Sequence, residues 1–342
     1  MYNFNYGVLE VINDFIQKTF KNSYNTYNKK VSIIGMGYVG AGIAYALMIK
    51  DIAREIAFID VKKEAVNAEM LDIRHGMVNM GSAKIKAGTY EDIKNSDLII
   101  VTAGRGRKAG ESRLDLIDDN IKISDQVIKN IKKYYKQGVI LIVTNPVDII
   151  TYYFDKKLKL PKGTVFGTGC ILDSSRLKNV IADYVDLEPE FVSATVIGEH
   201  GQNQIPLWSS VQVAGLPIEK YCKEVGIDFD ENVKSGMGDK VLNMGAEIIS
   251  GKGKTYYGIS TCVCFIADAI LNKRAVTASV TSVLNKTCGA DNIALSLPSI
   301  IDHTGIKRTL EPEMSTKESK LFKNAVTSIS TFVKKVSEKY NV

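Results

Sequence analysis

The chain is poor in the features that would mark a cross-linked, membrane-spanning or nucleic-acid-binding protein. Its 342 residues include five cysteines, Cys170, Cys222, Cys262, Cys264 and Cys288. An odd set with no paired CxxC spacing argues against a disulfide framework and against a zinc site, and makes a reducing cytoplasm the expected home. No apolar run approaches the roughly 18 to 20 residues that a membrane helix needs. Charge is not lopsided either: the formal net value is +6, with lysines dispersed among acids. That balance gives solubility and mild attraction to anions and offers no support for nucleic-acid binding. The N-terminal stretch MYNFNYGVLEVINDFIQKTFKNSYN has no basic n-region and carries Glu10 and Asp14, so it fits neither a secretory signal nor a transit peptide. Val8, Ile12, Phe15 and Phe20 fall near helical spacing. Residues 1–28 are therefore expected to form an amphipathic arm packed on the body or on a neighbouring subunit. Histidine is scarce, with only His75, His200 and His303.

What is present is an ordinary globular composition, 45% hydrophobic and 24% charged, over a length that suits two packed units or one large α/β body. From residue 29, short β-rich apolar runs alternate with helical periodicity. VSIIG (31–35), IAFID (56–60), DLIIVTAG (97–104), VILIVTN (139–145) and TVFGTG (164–169) read as buried parallel strands. Residues 41–53, 65–78 and 113–136 read as the helices between them, which is a βαβ alternation. After about residue 170 helical segments dominate, at 171–185, 231–250 and 258–273. A last helix opens on the capping box Ser315-Thr316-Lys317-Glu318. The expected organisation is an N-terminal arm (1–28), a dinucleotide-binding unit (29–150) and a catalytic unit (151–342).

The first strand runs straight into Gly35-Met36-Gly37-Tyr38-Val39-Gly40 and then a helix, the strand-turn-helix setting in which G-x-G-x-x-G binds a dinucleotide. Gly35 permits the turn, Gly37 lets the backbone approach a pyrophosphate, and Gly40 lets helix and strand close together. The helix N-terminus offers unpaired N–H groups to the phosphates. Asp60 ends the next strand, 20 residues past Gly40, positioned to accept from a ribose diol and to repel a 2′-phosphate. NAD is favoured over NADP.

A second cluster carries acid–base character. His200 lies in Gly198-Glu199-His200-Gly201, between glycines that suit a turn approached closely by a ligand. Asp173 and Arg176, at i and i+3 in Leu172-Asp173-Ser174-Ser175-Arg176, share a helix face. A carboxylate beside a histidine fixes its tautomer and raises its pKa, and an arginine fork grips a carboxylate at two points. Spacing alone leaves an ordinary surface ion pair open. The stretch GRGRKAGESRLDL (104–116) places Arg105, Arg107, Lys108 and Arg113 on a glycine-flanked loop.

These pieces, joined by Thr102-Ala103-Gly104, Gly110-Glu111-Ser112-Arg113 and Thr144-Asn145-Pro146-Val147-Asp148, resemble the L-lactate/malate dehydrogenase family in order and spacing from about residue 29 onward. The resemblance implies a Rossmann-type doubly wound parallel sheet followed by an α+β catalytic domain. It implies NAD as cofactor, a small 2-oxo or 2-hydroxy acid as substrate, no metal, and a homo-oligomer, either dimer or tetramer. By the same resemblance Gly35, Met36, Gly37, Val39, Gly40, Asp60, Thr102, Ala103, Gly104, Thr144 and Asn145 contact the cofactor. His200 exchanges a proton with the substrate and Asp173 orients it. Arg176 binds the substrate carboxylate, Asn145 touches substrate and nicotinamide, and Arg113 polarises the carbonyl when the loop closes.

Substrate choice divides. The family position matching Arg107 reads the substrate side chain, and a guanidinium there suits the second carboxylate of oxaloacetate, hence malate. Glu111, Leu114, the segment 69–76 and the segment 253–259, with Thr255 on the pocket wall, look lactate-type. The whole-chain likeness is given more weight, so L-lactate dehydrogenase is the expected activity and malate dehydrogenase the alternative. A non-enzymatic NAD-binding protein ranks below both, because packing alone has no need of Arg113, Asp173, Arg176 and His200 together. The family's sugar-bisphosphate positions match Lys178 and Ser193; the second lacks a cation, so little response to fructose 1,6-bisphosphate is expected.

Overall fold

A computed structural model of the protein describes residues 29–106 and 113–342. The expected N-terminal arm and Arg107 lie outside the described residues, and Arg113 is described only as the first residue of a helix.

Strands β1 (Lys30–Ile34), β2 (Glu55–Ile59), β3 (Lys84–Ala87), β4 (Leu98–Val101), β5 (Val139–Ile142) and β6 (Val165–Gly167) are parallel neighbours in the order β3-β2-β1-β4-β5-β6. Helices α1 (Tyr38–Ile49), α2 (Lys63–Gly76), α3 (Arg113–Tyr134) and α4 (Val147–Leu158) lie between the strands in sequence. Each central strand is apolar on both faces because both are covered. Ile34, Val101, Ile140 and Ile142 point into one core with residues of α3 and α4, while Ile33, Leu98, Ile100 and Leu141 point into the other with residues of α1 and α2. This is the doubly wound order of the Rossmann fold, and its direction reverses between β1 and β4, where a crevice opens at the strand C-termini. The edge strand β3, KIKA, alternates lysines with apolar residues and was not among the expected strands. Charged side chains on an edge discourage pairing with another chain, and they also hide the strand from a search for apolar runs.

The sheet continues where the sequence reading expected mainly helices. A long hairpin of β12 (Val276–Leu284) and β13 (Ile293–Asp302) joins β6 antiparallel through Thr281 opposite Gly167. β14 (Gly305–Thr309) and β8 (Val196–Gly198) both pair with β13, and β9 (Gln204–Pro206) with β8. The reading missed this hairpin because Thr281, Ser282, Ser296 and Ser299 are buried polar residues that break both the apolar run and the alternation. A small separate sheet of β7 (Val192–Ser193), β10 (Gln212–Val213) and β11 (Leu216–Pro217) packs with α5 (Ile171–Val185), α6 (Ile218–Val225) and α7 (Glu231–Lys252) into a third core. α8 (Tyr257–Leu271) lies against α1. The last helix, α9 (Thr316–Tyr340), opens on the expected capping box: Ser315 Oγ accepts from Glu318 N–H and Glu318 Oε2 from Ser315 N–H. Among the described residues no helix is long and apolar enough to cross a membrane.

The glycine turn shows how close the packing is at the switch point. Gly35 adopts φ +105°, and a Cβ at Gly40 would stand 2.0 Å from the carbonyl oxygen of Gly35, whereas a Cβ at Gly37 would meet nothing within 4 Å. Gly40→Ala should therefore destabilise the fold by about 2 kcal/mol or more in urea unfolding, while Gly37→Ala should leave stability unchanged and weaken only NADH binding. Equal losses of stability in both variants would contradict this account of the turn.

Candidate active site

The turn after β1 is held open toward the crevice by its neighbours. Gly35 N–H donates to Ile59 O at 2.8 Å, Met36 N–H donates to Asp60 Oδ2 at 2.7 Å, and Thr102 Oγ1 donates to Gly35 O at 2.6 Å. β4 ends beside it, with Thr102 and Ala103 N–H both donating to Ile34 O. Thr144 Oγ1 donates to Ala103 O at 2.9 Å, which ties the ends of β4 and β5 together. A Cβ at Gly104 would meet the Thr144 methyl at 2.4 Å. α1 begins at Gly37 with no side-chain cap, so its first N–H groups face the crevice. An uncapped helix N-terminus, open space over Gly37 and a carboxylate on the second strand fit a dinucleotide with a free ribose diol.

Beyond the strand ends the predicted acid–base residues come together. Asp173 lies in the first turn of α5, and His200 lies just past β8, in a turn made by Gly198 at φ +91° and Gly201 at φ +132°. His200 Nδ1 and Asp173 Oδ2 are 2.6 Å apart, and Arg176 Nη1 donates to Asp173 Oδ1 at 3.1 Å. Asp173 is 1% exposed. The histidine side chain keeps 24% of its surface, and among the described residues its Nε2 makes no hydrogen bond. The sequence left a surface ion pair open as the reading of Asp173 and Arg176; in the fold the carboxylate is buried and serves both the arginine and the histidine.

Burial opposes charging of both partners, and their mutual attraction outweighs it. Burial favours the neutral acid at Asp173, but the charge and hydrogen bond of His200, followed by those of Arg176, hold the carboxyl below its usual range. At His200 burial disfavours the imidazolium. The Asp173 charge and hydrogen bond, with the more distant Asp148, overcome burial and the Arg176 charge, so the pKa stands above the ordinary histidine value. Asp173 contributes stability that is lost as pH falls through its lowered value. His200 contributes stability that is lost as pH rises through its raised one. The pair is thus fully charged and contributes fully between about 3.9 and about 6.5.

Arg176 and Thr255 line a common cavity of about 340 Å³ with Leu172, Met244 and Ile248. Asn145 is exposed at the head of α4, its Oδ1 accepting from Val147 N–H at 3.3 Å. Lys178 and Ser193 line a second cavity, of about 390 Å³, in which hydroxyl groups predominate. Arg105, half-buried at the start of the loop, is drawn back to Asp119 by Nε and Nη2, both at 2.9 Å.

The lactate/malate dehydrogenase NAD-binding domain matches residues 29–167, and the alpha/beta C-terminal domain of the same family matches residues 170–340. The chain belongs to the lactate/malate dehydrogenase family. It is 40% identical over 297 residues to a Clostridium perfringens protein named L-lactate dehydrogenase, covering 86% of this chain and 94% of that one. A Thermoanaerobacter protein of the same name is 36% identical over 307 residues, covering 90% and 99%. The crystal structure of the minor L-lactate dehydrogenase from Enterococcus mundtii, in a ligand-bound form, superposes with a TM-score of 0.87 at 34% identity, over 91% of this chain and 99% of that one. Membership gives the first half of the chain its role as the family's NAD-binding domain.

Two residues of this lactate/malate dehydrogenase site escaped the sequence reading. Asn120 is fully buried on α3; its Oδ1 accepts from Arg105 N–H at 2.8 Å, and its Nδ2 donates to Arg105 O at 3.1 Å and to Asn145 O at 2.7 Å. It thereby fixes the start of the arginine-bearing loop against the head of α4. The available signal was a polar residue on the apolar face formed by Leu116, Ile117 and Ile121. The other is Asp148, which in Thr144-Asn145-Pro146-Val147-Asp148 carries no sign of the partners it meets in the fold.

Replacing Asp173 by Asn keeps an acceptor for His200 and removes the charge. The His200 C2–H resonance should then titrate at least about one pH unit lower than in the wild type. An unmoved titration would show that the pair does not hold the imidazolium.

Proposed function

We propose that the protein is an NAD-dependent L-lactate dehydrogenase that reduces pyruvate to L-lactate. The carrying observation is a buried carboxylate shared by an imidazole and a guanidinium beside the switch-point crevice. When bound, NADH supplies the hydride that reaches C2 of the 2-oxo acid. Arg176 grips the substrate carboxylate with two N–H groups and so orients the carbonyl. His200, protonated by virtue of Asp173, gives the Nε2 proton to the carbonyl oxygen as negative charge develops there, and in the reverse direction the neutral imidazole takes it back. Arg113 adds a cation at that oxygen, Asn145 touches substrate and nicotinamide, and Thr255 bounds the side-chain pocket. Gly35, Met36, Gly37, Val39, Gly40, Asp60, Thr102, Ala103, Gly104 and Thr144 hold the cofactor, with Asp60 on the ribose diol.

The same reading divides the labour at about residue 150, with 29–150 serving the dinucleotide and 151–342 the substrate. It takes the protein to be a cytoplasmic homo-oligomer, dimer or tetramer, with residues 1–28 packed on the body or on a neighbour. The odd number of cysteines, with no paired CxxC spacing, is what favours that compartment. Lys178 is the single cation among the residues lining the hydroxyl-rich cavity, so activation by a sugar bisphosphate is not part of the proposal.

Malate dehydrogenase is kept as the second reading on the strength of Arg107 alone. Pyruvate is favoured because the relatives described above carry the lactate name and because the segments 69–76 and 253–259 look lactate-type. Steady-state assays with NADH should give a higher kcat/KM for pyruvate than for oxaloacetate. A preference for oxaloacetate beyond about a hundredfold, roughly 2.7 kcal/mol, would transfer the assignment to malate.

A further inference from the structure

Asp148 lies in the first turn of α4, on the dinucleotide side of the molecule, and is 1% exposed. Its two oxygens are both committed to the catalytic half. Oδ2 accepts from the backbone N–H of His200 at 2.9 Å, and Oδ1 accepts from Thr281 Oγ1 at 2.5 Å. Thr281 and Ser296 hydroxyls lie 2.8 Å apart, and Ser296 Oγ accepts from Cys170 N–H at 3.1 Å, three residues before Asp173. One carboxylate thus joins four elements: α4, the β12–β13 hairpin, the entry to α5, and the turn that carries His200.

A buried carboxylate is costly unless its lone pairs are filled, and a packed core would more cheaply place an apolar residue here. Position in the first turn of a helix, where N–H groups are unpaired, lowers that cost, as do the two donors. We propose that Asp148 is a positioning residue for His200, fixing the turn that carries the imidazole through its backbone N–H and tying it to Thr281 of the hairpin. The charges that bear on the His200 imidazole are Asp173 and Asp148, which favour its charged form, and Arg176, which opposes it; Asp173 is the one that touches the ring. Glu199, next in sequence, turns its own carboxylate to Asn203. Asp173 meets the ring at Nδ1, and Asp148 meets the chain that bears the ring. Together they restrain the two ends of one side chain, so that Nε2 keeps a fixed direction while the substrate turns over. Asp148 also makes the helix that follows Asn145 a direct support of the acid–base turn, so the cofactor-side and acid–base-side residues share one rigid member.

The inference rests on the proposed proton transfer by His200, and its tests are read without turnover. The other histidines are His75 and His303, and the C2–H resonance of His200 is assigned by its absence from the spectrum of His200→Ala. Asp148→Asn retains an acceptor for His200 N–H, and its amide can donate to Thr281, which is free to donate onward to Ser296. The charge alone is lost. The His200 titration should move down by about one pH unit, with NADH affinity within about twofold of the wild type. Asp148→Ser, neutral and smaller, should move it the same way. In the wild type, the His200 backbone amide should exchange with deuterium at least about a hundredfold more slowly than an exposed amide. A native-like Asp148→Asn or Asp148→Ser protein with His200 titrating at the wild-type position would overturn the proposal. If neither variant folds, exchange of the wild-type His200 amide decides, and an exposed-amide rate overturns it. A His200→Ala protein that still reduces pyruvate would end the acid–base reading instead, and would leave the titration and exchange results standing.

Discussion

The carboxylate of Asp173 meets His200 Nδ1 at 2.6 Å in a place where burial opposes both charges, and the second half of the chain is arranged around that contact. Burial makes the attraction strong, and burial without the partner would make either charge expensive. Three elements from distant parts of the sequence must therefore arrive together: the first turn of α5, the turn after β8, and the β12–β13 hairpin behind them. Ser174 contributes to the same fixing, because its hydroxyl accepts from Val196 N–H at 2.9 Å and so ties α5 to the strand leading to His200. The imidazole is restrained on one ring nitrogen and left open on the other, the arrangement that an acid working at neutral pH requires.

The dinucleotide side obeys a different constraint, close backbone approach rather than charge. β1 and β4 stay paired to their C-terminal ends at the switch point, and the turn fits there because Gly35 and Gly40 have no side chain to collide with Ala103, Thr102 or the Gly35 carbonyl. The two halves meet along α4 and β6. α4 carries Asn145 at its head and Asp148 in its first turn, so a single helix faces both the cofactor crevice and the histidine. Arg176 packs over Gly245 of α7, where a Cβ would stand 3.6 Å from its guanidinium in ordinary contact, and Met244 and Ile248 of α7 line the same cavity as Arg176.

Much of this was legible in the sequence, for reasons that differ from one element to the next. Buried parallel strands announce themselves as apolar runs, and the glycine turn and Asp60 carry their spacing with them. The Ser315 capping box is read directly from two residues. His200, Asp173 and Arg176 were found as residue types in suggestive settings, but their meeting depends on long-range pairing, and it was family resemblance that joined them. The β12–β13 hairpin was illegible because buried Thr281, Ser282, Ser296 and Ser299 interrupt its apolar residues, with Thr281 bonded to Ser296 and to Asp148. Asn120 and Asp148 were overlooked for a related reason: a buried polar residue looks in sequence like a surface one, and only the partners around it reveal the task.

In the proposed mechanism the Asp173–His200 pair carries one proton that the chemistry uses in both directions. It is tested most directly by the pH dependence of kcat/KM for pyruvate reduction and for lactate oxidation by the same preparation. Reduction needs the imidazolium and oxidation the neutral ring. The account therefore predicts that the first falls and the second rises through a common apparent pKa lying above the ordinary histidine value of about 6.5. Profiles that move together, or a shared transition at or below that value, would contradict it.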